Sequence, residues 1–180
     1  MSSPAAATGL FAATWRRFRR NRRGSAAVEF ALVAPVFFAL LFAIIETAMV
    51  FFASQVLETV TQDSARQIMT GQAQAAAYTK TQFKTFLCGK IPTLFACADV
   101  HVEVKSYPAF TAVTITEPID GGKNFVPPTS YSPGAAGDIV VVRVFYQWPL
   151  FVTGLGYNIS NLSGSKRLLS ATAAFRNEPF

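Results

Sequence analysis

The sequence predicts an α+β protein with a long N-terminal membrane-spanning helix and amphipathic stalk, followed by a small antiparallel β-sheet head. Three observations predict this architecture. Residues 30–45 are uniformly apolar, apolar residues then recur every three to four positions up to residue 69, and beyond residue 100 they alternate with polar ones. The first two patterns are typical of helices, and the third is typical of half-buried strands.

The apolar run is long enough to cross a bilayer. Residues 30–45 measure about 24 Å as a helix, and their apolar flanks extend this length to match a hydrocarbon core of about 30 Å. Between positions 26 and 53 the only ionisable residues are Glu29 and Glu46. The sequence therefore predicts one spanning segment with two carboxylates in or near it.

A block of arginines directly before the run predicts its orientation. Its members are Arg16, Arg17, Arg19, Arg20, Arg22 and Arg23. Under the positive-inside rule this flank lies in the cytoplasm, which puts the head on the other side of the membrane. These arginines account for most of the net charge of +6, and no basic stripe follows them. Nucleic acid is therefore not an expected partner.

The remaining elements are assigned from local patterns. We expect the first helix to end at Gly71, because glycine accepts the left-handed conformation after a helix. A short helix is expected near residues 75–86. Strands are predicted at 100–107, 110–116, 138–148 and 168–176, with loops at 117–137 and 153–165. The first loop is long for a compact domain, which indicates a mobile or functional segment.

Few residues in the head are of the types that form disulfides, bind metals or catalyse reactions. Cys88 and Cys97 can form a disulfide outside the cytoplasm, and two buried free thiols are the alternative. His101, the only histidine, shares a strand face with Glu103, a pair that is more often structural than metal-binding. The chain has no phosphate-binding glycine loop, nucleophile elbow or paired carboxylates. We expect no enzyme activity, no cofactor, no metal and no small-molecule substrate.

The most informative motif lies where the arginine block meets the apolar helix. It consists of Gly24, Ser25, Glu29 and Phe30. This motif resembles the prepilin-peptidase site of type 4 pilins and pseudopilins. The resemblance implies cleavage after Gly24, a new N-terminus at Ser25, and a Glu29 that pairs with the liberated amine of a neighbouring subunit. A carboxylate near the centre of a membrane costs at least about 2 kcal/mol, so a partner is expected.

Further residues along the helix narrow the resemblance to one group of pseudopilins. Residues 27–35 (AVEFALVAP), 44–46 (IIE) and 64–66 (SAR), and more loosely the C-terminal residues 176–179, are similar to TadE-like pseudopilins of the tight-adherence (Flp pilus) system. The similarity implies a minor pilin-like subunit of pilus assembly and secretion in the bacterial inner membrane. Its implied partners are that membrane, a prepilin peptidase, other pilin-like subunits and the pilus assembly platform.

This interpretation divides the chain into three parts. Residues 1–24 are a cytoplasmic leader that is removed, 25–70 are the spanning helix and stalk, and 71–180 are a periplasmic or extracellular head. Glu46 is expected either to contact a partner subunit or to mark the bilayer edge. The alternative function is an uncleaved, membrane-anchored binding module of the cell envelope, which would recognise its ligand through residues 117–137.

Overall fold

The computed structural model describes residues 24–153 and 157–180. The arginine block, and with it almost all of the predicted leader, lies outside these residues. Ala43–Phe180 form one compact unit, and the helical residues before Ala43 belong to another. The division falls inside the first helix.

Helix α1 covers Ser25–Met69 and contains Pro35. From residue 24 to 45 no side chain is buried, and Glu46 is the first that is. Beyond it one face is buried at three-to-four spacing, by residues that include Leu57 and Ile68. Gly71 follows with a φ of 76°, as predicted from its sequence position.

Two short helices lead to the sheet. The single helix predicted near 75–86 is instead α2 (Gln72–Ala75) and α3 (Lys80–Cys88), separated by a turn. The N-terminus of α3 has a capping box: the Thr79 hydroxyl accepts the Gln82 N–H while the Gln82 side chain accepts the Thr79 N–H. The predicted disulfide between Cys88 and Cys97 is present and joins the end of α3 to the chain before the sheet.

The sheet has three antiparallel strands in the order β1-β2-β3. They are β1 (His101–Tyr107), β2 (Ile139–Pro149) and β3 (Lys166–Arg176). Three of the four strand predictions are thus confirmed. Apolar residues of all three strands share one buried core with α1 and α3; its fully buried members include Val104, Val142, Leu57 and Phe83. Each such side chain contributes about 1.5–3 kcal/mol through its removal from water.

The strand predicted at 110–116 is wrong. Phe110–Ala112 form a 3-10 turn, and Phe110 is exposed. The free edge of β1, where another strand would pair, is occupied by a later segment. The Val104 N–H donates to the Ser130 carbonyl (3.1 Å), and the Val104 carbonyl accepts the Ser132 N–H (2.9 Å). The edge of β1 therefore pairs with residues 130–132 and not with the alternating segment 110–116, a pairing that the local sequence pattern does not predict.

The C-terminus packs against the end of α1. The Glu178 N–H donates to the Met69 carbonyl (2.9 Å), and a Cβ added to Gly71 would overlap the ring of Phe180. Gly71 is thus required for two reasons, its positive φ and the close approach of that ring.

We expect Gly71→Ala to destabilise the head by about 1–3 kcal/mol, since alanine would be strained at this φ and would displace Phe180. Gly121→Ala is the matched control, because no atom lies within 4 Å of its Cβ position. Urea denaturation of both variants measures the difference. Compared with Phe180→Ala alone, Gly71→Ala/Phe180→Ala has no ring to displace, so the difference between these two variants reports the backbone strain. Equal stability of the two single variants would contradict the prediction.

Candidate functional site

The start of α1 is open. No atom of the described structure lies within 4 Å of the Cβ position of Gly24, and residues 24–30 are all exposed. The Ser25 hydroxyl donates to the Glu29 carboxylate across one helical turn (2.9 Å). Glu29 therefore lies on an exposed apolar helix surface with a hydroxyl partner from its own chain.

Helix α1 is long and apolar enough to cross a membrane, judged by length and composition. Its large apolar side chains are exposed over most of the segment before residue 46. They are Val28, Phe30, Leu32, Val33, Val36, Phe37, Phe38, Leu40, Leu41, Phe42, Ile44 and Ile45. A surface of this composition is stable in lipid and unfavourable in water. The structure thus agrees with membrane anchoring by α1.

Glu46 has a role that the sequence did not predict. Its side chain is buried, and its carboxylate accepts hydrogen bonds from the backbone N–H groups of Phe151 and Val152, the latter at 3.1 Å to both oxygens. At the next residue of α1, the hydroxyl of Thr47 is hydrogen-bonded to the hydroxyl of Tyr157. The carboxylate therefore fixes the connection between β2 and β3 to α1. A contact with a partner subunit stays a prediction.

The head contains a shallow cleft of about 390 Å³ between the sheet and the 117–137 loop. At its base Glu103 is 5% exposed, although the strand pattern predicted an outward polar position. Its carboxylate pairs with Arg143 (3.2 Å) and Lys105 (2.7 Å). Arg143 also donates to the Thr116 carbonyl (2.9 Å). The loop buries this face of the sheet, so the carboxylate needs its cations.

Hydrogen bonds order the 117–137 loop. The carboxylate of Asp120 accepts the backbone N–H groups of Gly122 (2.9 Å) and Asn124 (2.8 Å). The bonds from the Asn124 backbone and side chain lower the pKa of Asp120. The pairing of this loop with β1 at Val104 anchors its other end. The loop thus has contacts within itself at Asp120 and with β1 at Val104.

His101 and Glu103 do not form the pair suggested by their spacing. The His101 ring packs edge-on against Phe125, with centroids 5.0 Å apart. Burial lowers the pKa of His101, and the positive charge of Lys84 adds to this effect, while Asp99 opposes it. Within residues 24–153 and 157–180, no three His, Cys, Asp or Glu side chains lie close enough together to hold a metal. His101 therefore packs against an aromatic ring on this face of β1 and does not pair with Glu103.

Comparison with known families identifies the helix. The family model described as TadE-like protein matches residues 24–66. This segment is similar to TadE-like proteins. The match starts at Gly24, includes Glu29 and Glu46, and ends before the C-terminus of α1, so the head lies outside it. No curated protein and no solved structure matches the chain. The match suggests a pilin-like protein associated with pilus assembly.

One signal in the sequence could have revealed the buried ion pair. Arg143 interrupts a run of apolar residues in β2 (IVVVRVF). A charged residue at the centre of a buried strand requires a partner, and the acidic residue of β1 is the nearest candidate in an antiparallel sheet. The register indeed puts Glu103 opposite Arg143.

We expect Arg143→Met to destabilise the head by about 3 kcal/mol, because it leaves the buried Glu103 with one partly exposed cation. The control Lys105→Met removes that partly exposed cation and should cost less than about 1 kcal/mol. Adding Glu103→Gln to Arg143→Met should recover part of the loss. Chemical denaturation of the four proteins measures these differences. Similar losses of unfolding free energy in Arg143→Met and Lys105→Met would contradict a larger contribution from the Arg143–Glu103 pair.

Proposed function

We propose that the chain is a minor pseudopilin, a structural subunit that a prepilin peptidase cleaves after Gly24 during assembly of a bacterial surface pilus or secretion apparatus. Helix α1 anchors it in the inner membrane with a cytoplasmic N-terminus and a periplasmic or extracellular head. The observation that carries this proposal is the TadE-like match, which begins at Gly24 on an exposed helix start.

The surroundings of Gly24 support processing at this position. The Gly24–Ser25 bond lies at the first residues of α1, and no described atom packs against the glycine. A peptidase can therefore approach the bond without unfolding the head. Since the described residues leave room for a side chain at Gly24, a requirement for glycine there would come from the peptidase and not from the described fold.

The chemistry of Glu29 supports a role in assembly. Its carboxylate lies on a helix surface that is otherwise apolar, and the Ser25 hydroxyl is a neutral partner. Cleavage would create an α-amine at Ser25 that is largely protonated at neutral pH. In lipid, an amine from a neighbouring subunit is a stronger partner for the carboxylate than a hydroxyl. Glu29 would then select and orient the next subunit.

The first test is Gly24→Val. We expect it to block cleavage and leave the head folded, because no described atom beyond the neighbouring residues lies within 4 Å of the added Cβ. Ala26→Val is the matched control, an exposed position two residues beyond Gly24 that should not block cleavage. The measurement is the N-terminal sequence and intact mass of protein from host membranes, with and without the prepilin peptidase gene.

The outcomes separate the two functions. A peptidase-dependent start at Ser25 that is lost in Gly24→Val supports the pseudopilin. Normal processing of Gly24→Val would remove the site assignment. A native start at Met1 or Ser2 in both strains would instead support an uncleaved, anchored binding module of the envelope.

The second test is Glu29→Val. We expect cleavage to continue and assembly to fall at least about tenfold, which corresponds to a loss of about 1.4 kcal/mol of subunit interaction. Glu29→Gln is the matched control, since it keeps the polar shape and removes the charge. The measurement is the amount of pili in the sheared surface fraction of cells carrying each variant. Wild-type assembly by Glu29→Val would contradict the proposed role.

A further inference from the structure

The connection between β2 and β3 exposes a large apolar side chain. Phe151 is 87% exposed, more than any other large apolar residue that the structure describes, while its neighbour Leu150 is buried. A phenylalanine in water forfeits about 1.5–3 kcal/mol relative to one that is covered. Such exposure of an apolar side chain indicates a surface that is covered by a membrane or by another molecule.

The position of Phe151 is set by α1. Glu46 accepts the Phe151 N–H, and Thr47 is bonded to Tyr157. These contacts hold the connection beside the helical turn at which the first buried side chain of α1 occurs. Exposed apolar side chains continue around this turn in the same compact unit, at Ile44, Ile45, Met49, Phe51 and Phe52. Phe151 therefore extends the apolar surface that α1 already presents.

The charge of this end of the head fits a membrane surface. No Asp or Glu occurs from residue 139 to 177. The register pairs Trp148 with Arg167 and Pro149 with Lys166, so both basic residues lie at the end of the sheet from which Phe151 follows. Lys166 is exposed. Aromatic and basic residues without carboxylates are the composition of protein surfaces at the bilayer interface, where phosphate groups attract the cations.

We propose that the end of the β2–β3 hairpin is a second membrane contact, in which Phe151 enters the boundary between headgroups and acyl chains and Lys166 faces lipid phosphates. The partner is the bilayer that α1 spans, so the inference rests on the spanning helix of the proposed function. Glu46 is the positioning residue, because its carboxylate holds the loop backbone and satisfies two N–H groups that lipid could not. The head is then held against the membrane at two points.

The test uses the full chain with one nitroxide label. Both native cysteines are bridged, so a single introduced cysteine is the unique attachment site. Labels are placed in Phe151→Cys, in Leu40→Cys as the lipid reference and in Phe110→Cys as the aqueous reference. Phe110 is also exposed and follows the opposite end of the sheet, roughly 30 Å along β2 from Phe151. The proteins are reconstituted in vesicles of phosphatidylethanolamine and phosphatidylglycerol.

Collision of the label with oxygen and with a polar nickel chelate measures its depth. We expect the oxygen-to-nickel collision ratio at position 151 to be several-fold higher than at 110 and closer to that at 40. A ratio at 151 equal to that at 110, with position 40 in lipid, would overturn the second contact and leave the spanning helix intact. Shielding of position 151 from both reagents would also overturn it, since a protein would then cover Phe151. An aqueous signal at position 40 would overturn the spanning helix itself.

The role of Glu46 is tested in the same background. Glu46→Ala should lower the ratio at position 151 at least twofold, because the N–H groups of Phe151 and Val152 lose their acceptor on α1. Glu58→Ala is the matched control, another glutamate of α1 that accepts a backbone N–H of the sheet, from Thr172 (3.4 Å); it should leave the ratio unchanged. An unchanged ratio in Glu46→Ala, or an equal drop in Glu58→Ala, would overturn the positioning role.

Discussion

Helix α1 changes its surroundings at Glu46, and the arrangement of the head follows from that change. Before this residue no described side chain is buried and most are exposed and apolar, which is stable in lipid and unfavourable in water. After it, buried residues recur on one face at three-to-four spacing, from Val50 to Ile68, and that face forms the core with the sheet. One continuous helix therefore meets two different requirements in succession. The sheet and α3 share one core with its second half, because that half carries the buried face, and the C-terminus packs at its end.

Two buried carboxylates hold distant parts of the head together, and each has partners suited to its position. Glu46 lies next to the apolar part of α1 and accepts backbone N–H groups, which need no counter-charge of their own. Glu103 lies under the 117–137 loop and pairs with Arg143 and Lys105. Both arrangements satisfy the carboxylate inside the chain. At the base of the head cleft, the charge of Glu103 is already paired with Arg143 and Lys105. This pairing weakens the case for ligand recognition in the cleft.

The TadE-like match covers most of α1 and leaves the head outside it. The match covers the helix start and the residues around Glu46, where we propose peptidase processing, subunit pairing and the membrane contact. The head contributes the sheet and the disulfide, and it returns the β2–β3 connection to α1. Because the backbone groups of Phe151 and Val152 bond to Glu46, a residue inside the matched segment also depends on the part of the chain outside it. Glu46 is therefore one of the residues that couple the helix to the head.

The sequence by itself determined the elements whose signals are local. The period of apolar residues predicted α1 and the three observed strands, Gly71 marked the helix end, and the two cysteines predicted the bridge that is present. Motif spacing predicted the TadE-like segment. Tertiary structure decided everything that depends on residues far apart in the chain. It replaced the strand expected at 110–116 by the 130–132 segment at the edge of β1, buried Glu103, and gave Glu46 partners more than a hundred residues away. Periodicity records which way a side chain faces, whereas the identity of what it meets is set by long-range packing.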